Sequence, residues 1–325
     1  MIKKILTGFA IGDALGMPFE TKKYGSEKLK NWDGKTYLPS EYFKLDPGET
    51  TDDTGMALAL ANSLIEKKGY FYQAAAKHYL KWFKENSVGC GKVTRTAMEN
   101  LDKGIIPQHS GVLLTENQSG NGPAMRIAPL SIFYAAQTIN PKDSEEVLLY
   151  NFILDSDCYC DSIITHVHPL NTTYYGASIY ATELYYNLIG FSNAPDLKIH
   201  NFDRSKNQEV PRKLRIFKDF GLNHSYSDTM DFLAEYNGFG IIDTVNTAIF
   251  ISKYAGPNFL KAMEMAIRIG GDTDTRAALT GALTVAKHGC EVIPVELEHG
   301  LKNHQKINEI EEQRSEEHTS ELQSR

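Results

Sequence analysis

Apolar residues in this chain recur three and four positions apart, in segment after segment, and almost nowhere alternate. That period belongs to helices, because side chains three and four apart share one helical face. Residues 54–67 carry Met56, Leu58, Leu60, Leu64 and Ile65 and stop before Gly69, a helix terminator. Residues 70–85 repeat the pattern with Ala74–Ala76, Tyr79, Leu80 and Phe83. The spacing predicts further helices over 92–103, 126–137, 144–154, 171–189, 229–236, 242–254, 258–267 and 274–288. Several are apolar on more than one face, which predicts interior helices of a bundle. The β-branched residues of 242–252 make that stretch the one place where a strand competes. Residues 191–223 are polar, carry Pro195 and Pro211, and read as a mobile connection with one short helix near 212–217. The helices after it carry half of the acidic residues discussed below, so one interleaved all-α domain is expected rather than two.

Composition narrows the function classes. With 42% apolar and 23% charged residues, the chain can bury enough surface to fold. Its 34 basic against 41 acidic residues give a net charge of −7, which disfavours sequence-independent nucleic-acid binding. No apolar run approaches a membrane span. The basic start Ile2-Lys3-Lys4 resembles an export signal, but Asp13 interrupts the apolar stretch behind it and no cleavage site follows. Four cysteines form neither a disulfide framework nor a zinc set. A cytoplasmic, membrane-free monomer is expected. Residues 314–325, RSEEHTSELQSR, back-translate to a common sequencing adapter. They are read as foreign and poorly ordered, with the genuine domain at 1–313 and truncated near Gln313.

Two acidic clusters precede predicted helices: Thr50-Thr51-Asp52-Asp53-Thr54 and Gly270-Gly271-Asp272-Thr273-Asp274-Thr275. One Asp or Thr at a helix start is an ordinary N-cap. Each cluster has two carboxylates, however, and four brought together would repel unless protonated or bound to cations. Hard oxygen donors of this kind suit Mg²⁺, Mn²⁺ or Ca²⁺. Capping and metal ligation both remain open at this point. A glycine-spaced segment, Gly8 to Glu20, allows close helix packing or approach to a ligand, and Glu20 follows Pro18 in a loop. Gly120-Asn121-Gly122 ahead of a helix suits a phosphate or is a plain tight turn. His166 and His168 form a short pair that is either structural or metal-binding.

Together, GDALGMPFE, TTDDT, GNGPAMRIAPL, THVHP and GGDTDT resemble, in order and spacing, the ADP-ribosylglycohydrolase family over residues 5–310. The resemblance implies a single all-α domain with a binuclear metal cleft that binds ADP-ribose. It implies two divalent cations, Mg²⁺ or Mn²⁺, held by Thr51, Asp52, Asp53, Asp272, Asp274 and Thr275. Glu20 would stand at the metal site on a mobile loop and gate access. Gly120, Asn121 and Gly122 would cradle the diphosphate, Met125 and Arg126 would line the adjoining cleft, and His166 would line the ADP-ribose site. The implied activity is hydrolysis of the ribosyl C1″ bond of an ADP-ribosylated protein or small conjugate, with Asp52, Asp53 and Glu20 catalytic. A two-metal phosphohydrolase and a non-catalytic binding relative are the alternatives. Arg276 departs from the apolar residue usual after GGDTDT, and would face solvent, pair with an acid or perturb the cleft.

Overall fold

A computed structural model describes residues 4–191 and 207–323, with side chains as far as 313. The first part holds α1 (Ile5–Gly16), α2 (Glu27–Asn31), α3 (Asp52–Lys67), α4 (Tyr72–Glu85), α5 (Lys92–Asp102) and α6 (Pro107–Ser110). The middle holds α7 (Gly122–Arg126), α8 (Ala128–Gln137), α9 (Ser144–Ile163) and α10 (Thr172–Leu188). From residue 207 onward come α11 (Glu209–Phe220), α12 (Tyr226–Ala234), α13 (Ile241–Ala255), α14 (Phe259–Arg268), α15 (Thr273–His288), α16 (Val295–Gly300) and α17 (His304–Gln323). The fold is all-α. Its only sheet among the described residues is the two-residue parallel pair β1 (Val112–Leu113) and β2 (His166–Val167).

The centre of the bundle is α15, buried from Thr273 to Val285, with α1, α10, α13 and α14 around it. Along α1, every residue from Ile5 to Gly16 is buried. Its helical spacing is masked in the sequence by three glycines, each unfavourable in a helix interior. They recur every fourth residue, so Gly8, Gly12 and Gly16 form one bare stripe facing α15. A Cβ on Gly12 would sit 2.1 Å from the Ala277 carbonyl oxygen, and one on Gly16 2.4 Å from that of Thr273. Burial against α15 overrides the propensity cost, as tertiary packing does for most helices.

Other elements differ from expectation for identifiable reasons. The helix expected over 126–137 is broken at Ile127, because Pro129 starts a new first turn in α8. The helix expected to end at 154 continues to Ile163. Its acidic second half is satisfied internally: Tyr174 donates to Asp155 at 2.8 Å, and Arg126 pairs with Asp161 at 2.8 Å. The β-branched stretch is helical in α13. The short helix near 212–217 is the longer α11, while most of the connection before it, residues 192–206, lies outside the described residues. Helix α17 runs on through residues 314–323, a stretch free of Gly and Pro. Among the described residues no helix is long and apolar enough to cross a membrane.

Candidate active site

Both acidic clusters lie at helix starts, yet their carboxylates do little of the capping: Asp274 takes one first-turn amide, that of Thr275 at 2.9 Å. At α3 the N-cap is Thr51, whose hydroxyl accepts from the Asp53 amide at 3.4 Å. The main support comes from Asp13 on α1. Its carboxylate accepts from the Thr51 amide at 3.0 Å, the Thr51 hydroxyl at 2.9 Å, the Thr54 amide at 3.1 Å and the Thr54 hydroxyl at 2.6 Å. Asp52 and Asp53 are thereby released from capping. At α15 the N-cap residue Asp272 makes no capping hydrogen bond. Its carboxylate accepts instead from the Asn121 amide and lies 3.5 Å from the Thr244 hydroxyl. The sequence reading did not single out Asp13. Its signal was present: one carboxylate inside an otherwise apolar stretch is rarely buried without a partner.

Glu20 follows the short helical turn Met17–Phe19. The chain beyond it is tied to the second cluster: Thr21 donates to the Gly271 carbonyl and the Gly271 amide to the Lys22 carbonyl, each at 2.8 Å. Carboxylate oxygens of Glu20, Asp272 and Asp274 lie within 4.8 Å of one another. Asp53 of the first cluster and Asp272 and Asp274 of the second raise one another electrostatically, which links the two clusters.

This arrangement resists ionisation. Burial, then the charges of Asp272 and Asp13, push Glu20 up to about 7. Burial and Asp13 push Asp52 up to about 8. Asp53 and Asp274 are raised well above the ordinary carboxylate range, chiefly by burial and then by neighbouring carboxylates. Glu20 Oε2 and Asp53 Oδ1 are buried and accept no hydrogen bond from the described residues. A set of all-oxygen donors, crowded, buried and incompletely hydrogen-bonded, needs protons or cations to be stable at neutral pH.

The glycine loop abuts this cluster. Ile241 donates to the Ser119 carbonyl at 2.7 Å and Gly120 bridges to Gly240, so the loop is held at the start of α13. Asn121 connects it to Asp272. The β1–β2 pairing sets Val112 opposite His166 and brings the histidine against the same loop. A Cβ on Gly122 would lie 2.7 Å from His166 Cε1, so glycine is required for this close approach. Burial, then the charge of Arg126, push His166 down to about 3, and it is neutral at any physiological pH. His168 faces elsewhere: its Nδ1 accepts from the Leu170 amide at 3.0 Å, a turn contact.

A model of the ADP-ribosylglycohydrolase family matches residues 2–323. The chain belongs to this family. Relatives align along most of their length. An uncharacterized protein of Archaeoglobus fulgidus is 28% identical over 318 residues, covering 95% of this chain and 93% of its own. The ADP-ribosyl-[dinitrogen reductase] glycohydrolase of Rhodospirillum rubrum is 26% identical, covering 88% and 85%. The ADP-ribosylarginine hydrolase Tri1 of Serratia proteamaculans is 27% identical, covering 96% and 78%. A solved chain of an ADP-ribosylglycohydrolase-related protein complex has the same fold, with TM-score 0.68, 24% identity and 95% coverage of both chains.

One expectation drawn from the ADP-ribosylglycohydrolase resemblance requires correction. Arg126 does not line a cleft. It is fully buried, donating from Nε to Asp161 at 2.8 Å and from its other nitrogens to the Gly122 and Asp161 carbonyls at 2.9 Å. Tyr79 donates to the same Asp161 at 2.7 Å, and the Arg126 guanidinium stacks over its ring. Arg126 therefore supports the glycine loop from behind. Met125 beside it is buried in the hydrophobic core. Arg126→Met should cost about 3–5 kcal/mol, because it leaves the buried Asp161 carboxylate unpaired. Denaturant unfolding measures this, and Arg126→Met with Asp161→Asn should recover much of the loss.

Arg276 neither reaches solvent nor makes a direct ion pair among the described residues. It is fully buried, with Nε donating to Thr247 at 3.1 Å and Nη1 to the carbonyls of Gly270 at 2.8 Å and Ala266 at 3.3 Å.

Proposed function

We propose that this chain is a divalent-cation-dependent hydrolase that cleaves the ribosyl C1″ bond of ADP-ribosyl conjugates and releases ADP-ribose. The observation that carries the reading is the convergence of Glu20, Asp272 and Asp274 within 4.8 Å, with Glu20 Oε2 and Asp53 Oδ1 buried and unpartnered nearby. These residues fit Mg²⁺ or Mn²⁺, which take oxygen donors. Thr51, Asp52, Asp53, Asp272, Asp274 and Thr275 would hold two such ions. When bound, the ions would neutralise the carboxylates and supply Lewis-acidic contacts to ribose hydroxyls and water.

The chain's own residues account for the rest. Asp52 or Asp53 orients the attacking water and accepts its proton, while C1″ develops oxocarbenium character. Glu20 faces the same cluster from the loop tied to Gly271, where it controls access and holds substrate in place. The backbone of Gly120, Asn121 and Gly122 receives the diphosphate at a helix start, where amide groups favour anions. Neutral His166 packs against that loop and presents an uncharged ring to the ADP-ribose.

A panel of arginine-, serine- and O-acetyl-linked ADP-ribose substrates, assayed with Mg²⁺ or Mn²⁺, tests the reading through product identity. Free ADP-ribose from at least one is expected. AMP or inorganic phosphate would point to a phosphohydrolase, and no product from metal-loaded protein to a binding role.

A further inference from the structure

Among the described residues Arg276 is a buried charge without a counter-ion in contact. Its guanidinium sits against the carboxyl end of α14, taking the Ala266 carbonyl, the Gly270 carbonyl of the following turn, and the Thr247 hydroxyl of α13. Nη2 is buried with no hydrogen-bond partner. A cation is favoured at a helix carboxyl end, but carbonyl contacts alone compensate a fully buried guanidinium poorly. Three acids stand near it in the fold: Asp272 and Asp274, four and two residues before it at the start of α15, and Asp243, close to its Thr247 partner on α13. Asp243, one turn before Thr247 on α13, is already engaged by Lys213 at 2.8 Å. The other two belong to the acidic cluster. Arg276 follows that cluster on the first turn of α15, so α15 carries the carboxylates and their compensating charge on one rigid element.

We propose that Arg276 is a fixed internal counter-cation for the acidic cluster, offsetting carboxylate repulsion when no divalent cation is bound and thereby weakening the binding of one. The inference rests on the cation site proposed above. Arg276 touches neither substrate nor reacting atoms; it is a positioning and charge-setting residue. It makes the cluster tolerable in the empty protein and allows ions to exchange.

Calorimetric titration of chelator-treated protein with Mg²⁺ and Mn²⁺ tests this, together with the melting temperature of the metal-free form. Arg276→Gln places an amide where Nε stands, beside the Thr247 hydroxyl, but removes the charge. It should bind the dication at least about tenfold more tightly, the scale of one charge acting on a dication several ångströms away even with the screening of bulk water. Its metal-free form should melt lower. Arg276→Lys keeps the charge and should bind within about twofold of the parent on the same reasoning. Thr247→Val removes the Nε partner without changing charge and should leave affinity unchanged. A purely structural Arg276 predicts the reverse: weaker binding in Arg276→Gln and in Thr247→Val, as the turn shifts. Unchanged or weaker binding by Arg276→Gln overturns the inference while leaving the cation site standing. A parent chain that takes up neither cation overturns both. If Arg276→Gln folds only when Mg²⁺ is present, that rescue supports the inference. If it folds under neither condition, Arg276→Lys decides: several-fold weaker binding would overturn the proposal.

Discussion

Asp274→Asn should melt at a higher temperature than the parent chain in the absence of divalent cations, and lose turnover on the order of a thousandfold in their presence. The two effects share one cause. Asp274 is buried, and its carboxyl is raised well above the ordinary range by burial and by Glu20, Asp53, Asp272 and Asp13. A carboxylate raised in the folded state destabilises the fold once the pH exceeds its unfolded value. Its stability contribution is complete below that value and is lost as pH rises through the folded one. With Glu20 at about 7 and Asp52 at about 8, the metal-free parent should gain stability as pH falls from 8 towards 5. Asp274→Asn removes part of the repulsion and should gain about 1–2 kcal/mol at neutral pH. It should also shrink the melting-temperature rise that saturating Mg²⁺ gives the parent. That rise corresponds to about 2.7 kcal/mol when the ion stands at a hundred times its dissociation constant. Thermal melts with and without chelator, alongside an activity assay, read all three. A variant less stable than the parent without metal would show that Asp274 is a structural residue.

Gly12→Val should be the most damaging substitution outside the acidic residues. An added Cβ would lie 2.1 Å from the Ala277 carbonyl oxygen, and backbone cannot rotate away as a side chain can. The helices α1 and α15 must separate, at a cost of at least about 3 kcal/mol. The site is built across this contact, because α1 supplies Asp13 and leads to Glu20 while α15 supplies Asp274 and Thr275. Cation binding should fail together with stability. Gly91→Ala is the control, since a Cβ there meets nothing within 4 Å. It should stay within about 1 kcal/mol of the parent, the cost of alanine at the N-cap of α5. Equal stability of the two variants by denaturant unfolding would refute the packing argument.

The contrast between these helices shows where the sequence is informative. Helices with an apolar stripe, such as α3 and α14, are legible because period and burial agree. Helix α1 is not, because its contact with α15 is made by the absence of side chains, which periodicity cannot detect. The acidic clusters are visible as pairs of carboxylates, but that Asp52 and Asp53 are not needed as caps is visible only through Asp13. That residue does the capping from 38 positions away from Thr51. Arg126 was misplaced for a related reason. Its partner Asp161 stands 35 residues away, in a polar stretch that looks unsuited to burial until the pair is seen. Arg276 is conspicuous in the sequence, yet only the carbonyls around its guanidinium and the nearby acids give it a role.

On the proposed function, distant helix starts assemble one cation-dependent site for ADP-ribosyl hydrolysis. Its most direct test is the release of free ADP-ribose from an ADP-ribosylated substrate by chelator-treated protein, before and after Mg²⁺ is restored. No release before, and full release after, is the predicted result. Release that persists undiminished in chelator would contradict it.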